Sequence, residues 1–225
     1  MDELLSKTLK KIEGKFQLEP VAIPEDLRET RYPLSLMQLQ CYNWKAEKVR
    51  KIYFMRVKVR VPTLDVLGMA IYPESNFDVP IFTYDLSGTK KKVFTHINFI
   101  PLFNDESYYK KYLEPLKPVF EKYNHFPPHK MREWMLKYHS PYTFYSMPEK
   151  SFLNELKSCA LDYLTVYLDI ISRAKPIEDK QYLKQIEEAH KAYANDLLTK
   201  DASQKMLAKI IGKEKARRIF HEVIA

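Results

Sequence analysis

The feature that most constrains the fold is a block of strand-like runs joined by short connections. The runs cover about residues 35–44, 49–61, 64–73, 79–86 and 91–100. Within the second run Met55, Val57, Val59 and Val61 alternate with other residues and so share one face of a strand. Ser87-Gly88-Thr89 separates the last two runs and predicts a hairpin. Short links between consecutive strands favour an antiparallel sheet.

The rest of the chain has helical patterning. An amphipathic helix is predicted over residues 2–16, followed by a connection marked by Pro20, Pro24 and Pro33. Further helices are predicted over 106–123, 129–138, 149–174, 177–198 and 202–222. Strands followed by helices indicate an α+β fold with helices covering the sheet. Without repeats or a linker, residues 1–225 are expected to form one domain.

Several classes of cofactor chemistry lack the residues that they need. The four glycines cannot form a G-x-G-x-x-G loop, and Cys41 and Cys159 are too few for an iron–sulfur cluster. Prolines between His125 and His129 disfavour a helical zinc pair, so we expect no metal site. A G-x-S-x-G nucleophile motif is also missing. Any redox chemistry must therefore draw its electrons from outside the chain.

The positive charge favours an acidic partner of open class, and a solvated basic surface without a partner explains it equally well. The net charge of +8 favours nucleic acid, an anionic membrane or an acidic protein. The densest basic run, Lys90-Lys91-Lys92, is short, and no nucleic-acid-binding motif accompanies it. No apolar run is long enough to span a membrane, and the charged first helix is unlike a signal peptide. Two distant cysteines predict no disulfide and a reducing compartment.

Two aspartates stand at positions where chemistry and local structure are both reasonable explanations. Asp85 ends the apolar run in NFDVPIFTYDLSG, where it could accept hydrogen bonds from the Ser87-Gly88 turn or donate a proton from an apolar pocket. Asp201 precedes a predicted helix and has Gln204 at the matching position of a capping box. It could cap that helix, act as an acid, or do both.

Four segments, taken in order, resemble the ferredoxin-dependent bilin reductases from about residue 30 to the C-terminus. They are VRKIYFMRV, LDVLGMAIYPESNFDVPIFTYDLSG, INFIPLF and the closing YANDLLTKDASQKMLAKIIGKEKARRIFHEVIA. The second segment is the most specific, since it contains the L-D-V-L, the Tyr-Pro, the Asp-Val-Pro and the aspartate that the family pattern has in the same order.

The resemblance implies a three-layer α/β/α sandwich around a central antiparallel sheet. A linear tetrapyrrole, biliverdin IXα, would lie between the sheet and the C-terminal helices. Enzymes of this family carry no bound cofactor, take single electrons from reduced ferredoxin and take protons from side chains. An acidic ferredoxin would dock on the basic surface. We expect a monomer without nucleic-acid or membrane partners, in the cytoplasm, the plastid stroma or a phage-infected host cytoplasm.

The same resemblance assigns roles to individual residues. Asp85 falls on the family's central proton-donating aspartate, on the sheet face toward the bilin. Asp201 falls on a second aspartate at the start of a helix on the other side. A carboxyl group in an apolar pocket has a raised pKa and can protonate a reduced tetrapyrrole. The substrate contacts implied by the alignment are Gly68, Ala70, Val93, Asn124, Lys200, Met206 and Ile224.

The chain also departs from the phycocyanobilin-forming branch of the family. Tyr53-Phe54-Met55 replaces a His-x-Glu, and Gly68 replaces a second histidine, which is expected to leave a space beside Asp85 for water or ligand. The propionate clamp is altered at Asn124 and Ala202, although Lys200 could substitute. The loss of the histidines disfavours four-electron reduction at the outer vinyl group. The retained aspartates are more similar to the phycoerythrobilin and phytochromobilin branches.

Two functions from different classes follow. The first is ferredoxin-dependent reduction of biliverdin IXα to a phycobilin, either phycoerythrobilin or a partly reduced precursor, with Asp85 and Asp201 as proton donors. The second is a bilin-binding or carrier protein that has lost catalysis, which Gly68 and the weakened propionate clamp suggest. Nucleic-acid binding would rest on charge alone.

Overall fold

The computed structural model describes residues 1–31 and 36–225 and is organised around one antiparallel sheet. Residue 35, where the first predicted strand begins, and Pro33 lie outside these ranges. The strands are β1 (Glu19–Pro20), β2 (Glu29–Arg31), β3 (Met37–Ala46), β4 (Val49–Val59), β5 (Leu64–Pro73), β6 (Ile81–Gly88), β7 (Val93–Ile100) and β8 (Phe144–Ser146). In the described ranges their order is β1-β3-β4-β5-β6-β7-β8, with β2 also paired to β3.

The five predicted strands correspond to β3–β7, each paired with the next in the antiparallel sense. The predicted hairpin joins β6 to β7. Met55, Val57 and Val59 share a face, but Val61 lies beyond the end of β4 and is 79% exposed. The short strands β1, β2 and β8 were not predicted, because two or three residues are too few to show a periodic pattern.

Helices precede and follow the sheet in the chain. The α-helices are α1 (Asp2–Glu13), α2 (Glu25–Arg28), α3 (Glu106–Tyr112), α4 (Lys117–Tyr123), α5 (Leu153–Arg173), α6 (Lys180–Lys200), α7 (Ala202–Ile211) and α8 (Lys213–Arg218). Short 3-10 helices cover Glu114–Leu116, Glu133–Tyr138 and Lys150–Phe152, and a π-helical segment covers Ile219–Ile224. Over residues 1–31 and 36–225, no helix is long and apolar enough to cross a bilayer.

Three predicted helices are shorter or more broken than the sequence pattern indicates. The helix predicted over 106–123 is interrupted around Pro115, whose missing N–H cannot bond to the preceding turn. The segment predicted as helix over 129–138 is helical only from Glu133 to Tyr138, because His129 donates its N–H to the Tyr145 carbonyl. Gly212 adopts φ 90° and separates α7 from α8.

The sheet has helices on both faces, as the three-layer prediction requires. On one face Phe82 and Phe99 pack against Tyr163 and Tyr167 of α5, in a cluster that also includes residues of α1 and α3. On the other face the buried cluster joins sheet residues such as Ala70 to helix residues from α6, α7, α8 and the π-helical segment. Cys41 and Cys159 are buried in different clusters, one on each face. The α/β/α architecture is confirmed.

We expect the buried contact between α1 and the sheet to contribute measurably to stability. Thr8 Oγ1 and the Tyr84 hydroxyl are 2.8 Å apart and both residues are buried. Tyr84→Phe should lower the free energy of unfolding by about 1–2 kcal/mol, because Thr8 then keeps a buried hydroxyl without its partner. Thr8→Val should have a similar effect, measured by urea denaturation.

A double-mutant cycle separates this hydrogen bond from packing. The Thr8→Val/Tyr84→Phe variant should lose less stability than the two single variants together, because neither polar group remains. Strict additivity of the two substitutions would show that the two hydroxyls do not interact.

Candidate active site

Asp85 is the charged residue in an otherwise apolar part of the central sheet. Along β6, Tyr84 and Leu86 point into the cluster beneath α5, so Asp85 points to the opposite face, toward α6 and α7. Strand β6 continues through Gly88, and the turn that follows is closed by Thr89 and Lys92. Within the described ranges, no hydrogen bond from the turn reaches the Asp85 carboxylate, so this geometry does not support a turn-forming role.

The neighbouring strands place one residue on each side of Asp85. Gly68 of β5 and His96 of β7 are its direct partners in the sheet register. A Cβ built on Gly68 would lie 2.5 Å from Asp85 Oδ1. The sequence predicts a space beside Gly68 for water or ligand. In the structure the Asp85 carboxylate itself fills that space. On the other side, His96 Nδ1 is 4.0 Å from Asp85 Oδ2, beyond hydrogen-bond distance.

This environment favours the protonated form of Asp85. Burial, with a smaller contribution from the charge of Asp201, raises its pKa to about 7. The side chain is 38% exposed, but the sheet below it and the C-terminal helices on the same face restrict the water that could solvate a charge. A carboxyl group with a pKa near 7 is present in both forms at neutral pH and can therefore donate and recover a proton.

Asp201 combines a structural role with a position near Asp85. It ends α6 and begins α7, and its side chain accepts a hydrogen bond of 2.8 Å from the Ser203 N–H. The predicted N-cap is thus confirmed, with the bond made to Ser203. The charge of Asp201 also raises the pKa of Asp85, Tyr53 and Tyr193. Asp201 therefore lies within electrostatic range of these three groups.

Tyrosines that the sequence analysis did not assign to the site surround the two aspartates. Tyr53 of β4 and Tyr193 of α6 are 7% and 9% exposed and belong to the cluster on this face. Burial raises the pKa of both hydroxyls well above the usual value, and so does the charge of Asp85. These groups stay neutral and can donate hydrogen bonds. The Tyr53-Phe54-Met55 segment therefore does bring a titratable side chain to this face.

His96 is a second residue that the sequence analysis missed. Burial, with a smaller contribution from His139, lowers its pKa to about 4, so the imidazole is neutral near pH 7. A cavity of about 20 Å³ touches His96 together with Trp134, His139 and Tyr193. This volume suits a single water molecule. The alternation of FTHINFI, in which His96 and Asn98 share a face, is the sequence signal that could have identified it.

Four of the predicted substrate-binding residues lie in the layers on the Asp85 side of the sheet. Ala70 and Ile224 are buried in the cluster on this face. Met206 of α7 is 46% exposed. Lys200 pairs with Asp196, with 2.7 Å between Nζ and Oδ1. Lys200 is therefore engaged within the protein and would have to exchange partners to bind an anionic ligand group.

Gly68 is a fifth predicted contact on this face, beside Asp85, and the remaining two of the seven are not brought to it. Val93 is fully buried in the cluster beneath α5, because β7 turns its odd-numbered side chains away from Asp85. Asn124 is exposed at the end of α4, which packs against α5. A cavity of about 660 Å³ also lies on that side, lined by residues such as Tyr112, Ile170 and Arg173, and Asp85 does not contact it.

No metal site accompanies the aspartates in the ranges that the structure describes. Among residues 1–31 and 36–225, no group of three His, Cys, Asp or Glu side chains could hold a metal ion.

The pKa of Asp85 predicts an unusual dependence of stability on pH. Its folded-state pKa is raised to about 7, so the folded protein binds a proton more tightly than the unfolded chain and loses stability as pH rises from about 4 toward 7. Asp85→Asn removes this loss. We expect the variant and the wild type to have similar free energies of unfolding at pH 4, and the variant to be more stable at pH 8.

Asp196→Asn provides a control of opposite sign. Burial raises the pKa of Asp196, but hydrogen bonds from Lys137, Lys200 and Tyr138 outweigh it and hold the pKa at about 2. The stabilisation is present above the unfolded pKa near 4 and is lost as pH falls toward 2. Asp196→Asn should therefore be less stable than the wild type at pH 7. Chemical denaturation across pH 4–8 measures the free energy of unfolding of both variants. Equal effects of the two substitutions would contradict the raised pKa of Asp85.

Comparison with known proteins identifies the family of this chain. The family model described as ferredoxin-dependent bilin reductase matches residues 5–224. A phycoerythrobilin:ferredoxin oxidoreductase from Nostoc punctiforme is 27% identical over 92% of this chain and 86% of that protein. A 15,16-dihydrobiliverdin:ferredoxin oxidoreductase from the same organism is 26% identical over 96% of this chain and 90% of that protein.

The fold also matches a solved structure. The crystal structure of phytochromobilin synthase from tomato in complex with biliverdin aligns with a TM-score of 0.89, covering 97% of this chain and 80% of that one at 22% identity. This likeness shows that the two proteins share a fold. The family match over nearly the whole chain goes further, and this chain belongs to the ferredoxin-dependent bilin reductase family.

Proposed function

We propose that this protein reduces biliverdin IXα to a phycobilin, either phycoerythrobilin or a partly reduced precursor. Electrons come one at a time from reduced ferredoxin, and Asp85 supplies protons. The observation that carries the proposal is a carboxyl group with a pKa of about 7 on the sheet face covered by the C-terminal helices, in a chain of the bilin reductase family. The bilin is proposed to lie on that face, between the sheet and the helices.

Each round of the proposed chemistry balances as a two-electron, two-proton reduction of one carbon–carbon double bond; one round gives the dihydro precursor, and phycoerythrobilin requires a second. The first electron converts the conjugated tetrapyrrole into a radical anion, which is more basic than the starting bilin. Protonated Asp85 donates its proton to this species and becomes a carboxylate, leaving a neutral radical. A second electron and a second proton complete the new C–H bonds. Proton transfer from a positioned acid typically accelerates such a step about 10²- to 10⁴-fold.

Asp201 is proposed to contribute to the second proton transfer. The charge of Asp201 raises the pKa of Asp85. When Asp85 has given up its proton, this repulsion favours the return of a proton to Asp85. The coupling would therefore help to reload the donor between the two electron transfers.

The residues around Asp85 bear on which bilin is formed. Gly68 and Tyr53 stand where the phycocyanobilin-forming branch has histidines. The relatives found by sequence are named for phycoerythrobilin and for 15,16-dihydrobiliverdin, whose name denotes a single reduced double bond. Both observations support a phycoerythrobilin-type product or its dihydro precursor.

Asp85→Asn tests the proposed proton donor. The amide keeps the size of the carboxyl group but has no proton to give, so biliverdin should still bind while turnover falls by about 10²-fold or more. An anaerobic assay with biliverdin and a ferredoxin-reducing system, with products separated by chromatography, measures the loss. A bilin radical detected by electron paramagnetic resonance would place the block after the first electron.

Asp169→Asn is the matched control for this assay. Asp169 lies on α5 in the opposite helical layer, where it pairs with Lys15 at 3.2 Å. This variant should keep wild-type turnover. Undiminished activity of Asp85→Asn would rule out the role proposed for Asp85.

The proposed ferredoxin surface is the exposed side of α7 and the start of α8. Lys205 and Lys209 of α7 and Lys213 of α8 are exposed, and no carboxylate of the described residues lies within salt-bridge distance of them. These helices form part of the layer that covers the Asp85 face of the sheet. A donor docked there would be separated from the proposed bilin site by one helical layer, and unpaired lysines attract an acidic partner.

Lys209→Glu should raise KM for ferredoxin several-fold and leave binding of biliverdin unchanged. Because surface charges are screened by salt, the difference from wild type should shrink between 50 mM and 500 mM NaCl. Lys10→Glu on α1, in the opposite layer, is the control and should have little effect on KM. Equal effects of the two substitutions would indicate a general charge effect and not a docking surface.

A bilin carrier without catalysis is the second candidate. It is favoured by the placement of Lys200, which pairs with Asp196, and of Asn124, which lies in the opposite layer, since neither supplies a free propionate contact. Tight biliverdin binding with no spectral change under reduced ferredoxin would support the carrier. Formation of a reduced bilin would exclude it.

A further inference from the structure

We propose that Gly68 is a positioning residue, which seats the Asp85 carboxylate over strand β5 and keeps it out of hydrogen-bond distance of His96. The inference rests on the proposed function, because it concerns the donor of that reaction. It assigns to Gly68 an effect on the protein's own acid in place of a contact with substrate.

The first step is the geometry at Gly68. A Cβ at this position would lie 2.5 Å from Asp85 Oδ1 and 3.7 Å from Asp85 Cγ, and no other atom of the described residues outside its chain neighbours lies within 4 Å. A separation of 2.5 Å between a carbon and an oxygen atom is far inside van der Waals contact. Any side chain at position 68 therefore displaces the Asp85 carboxylate, which is the free end of a rotatable side chain.

The ordinary reasons for a glycine in a strand do not apply to Gly68. The backbone of Gly68 does not have the positive φ that only glycine adopts readily, in contrast to Gly212. No backbone atom approaches its Cα closely enough to exclude a side chain. Glycine inside a strand is unfavourable because it has no side chain to pack. What the glycine provides here is room for the carboxylate.

A side chain at position 68 would displace the Asp85 carboxylate toward His96. Strands β5 and β7 flank β6 on opposite sides, and Gly68 and His96 are the two partners of Asp85 in the register. Moving the carboxylate away from Gly68 moves it toward His96. The present gap of 4.0 Å between His96 Nδ1 and Asp85 Oδ2 needs to shrink by only about 1 Å to become a hydrogen bond.

A hydrogen bond from His96 would change the protonation of Asp85. An N–H of His96 that donates to the carboxylate stabilises the charged form, so less Asp85 is protonated at neutral pH. The other titratable groups of the described residues that interact with Asp85 are Tyr53 on β4, Tyr72 on β5, Tyr84 on β6, Tyr145 on β8, Tyr193 on α6 and Asp201 at the start of α7. The tyrosines are neutral in this range, and Asp201 opposes ionisation of Asp85. His96 is therefore the group whose approach would favour the carboxylate.

The test is Gly68→Ala, compared with Gly88→Ala. Gly88 lies on β6 with its nearest potential Cβ contact at 3.6 Å, so an alanine fits there without displacement and serves as the control. The titration of Asp85 in the ligand-free protein is followed by the carbonyl stretch of the protonated carboxyl group, assigned by its loss in Asp85→Asn. Gly68→Ala should lower the titration midpoint, and Gly88→Ala should leave it unchanged.

Turnover provides a second readout. At pH 7, Gly68→Ala should reduce bilin more slowly by about tenfold, which is less than complete loss of a general acid. The rate should recover as the pH is lowered. Adding His96→Phe to Gly68→Ala should return the Asp85 midpoint toward the wild-type value, since the new hydrogen bond is then impossible.

Each outcome bears on a distinct claim. An unchanged midpoint in folded Gly68→Ala, or a crystal structure of that variant with the carboxylate in its original place, would overturn the positioning role even if Asp85 is the donor. Should Gly68→Ala fail to fold, His96→Phe alone decides: a midpoint that moves substantially in this variant shows that His96 already contacts Asp85, against the proposal. Full activity of Asp85→Asn would remove the proposed reaction but leave the titration result standing.

Discussion

A carboxyl group with no hydrogen-bond partner among the described residues, held between a sheet and a helical layer, is the constraint on which the functional side of this structure depends. The Asp85 side chain is 38% exposed, and the layers around it remove enough hydration to favour its protonated form. Gly68 leaves room for the carboxyl group. The negative charge of Asp201 repels a carboxylate at position 85 and so favours the neutral form of Asp85 further.

The two faces of the sheet differ in their side chains. The face beneath α1 and α5 is packed with fully buried aromatic rings: Phe99 meets Phe82 and Tyr167 edge to face, and Phe82 stacks on Tyr167. The opposite face is covered by α6, α7 and α8 and contains Asp85 and His96 on adjacent strands. A firmly packed first face can hold the central strands in register while the second face accommodates polar groups.

Much of the fold could be predicted because it follows from local periodicity in the sequence. The five central strands, their antiparallel order and the long helices α5 and α6 follow from alternation, proline positions and short connections. The helix predicted over 202–222 was broken because a single glycine, Gly212, adopts a positive φ that periodicity does not reveal. Strand β8 was missed because its three residues are ordered by pairing with β7 and not by their own pattern.

The sequence by itself determined the α+β class and the family, and it singled out Asp85 and Asp201 as candidate acids. Strand alternation, helix capping and motif order could be used in this way because they depend on neighbours along the chain. Only the tertiary structure decided that Gly68 and His96 flank Asp85, that Lys200 is held by Asp196, and that Val93 and Asn124 lie away from the site. These relations depend on strand register and on which face a side chain occupies. A shift of one residue in register would exchange the two faces, and so residues distant in the chain meet only when the sheet is assembled.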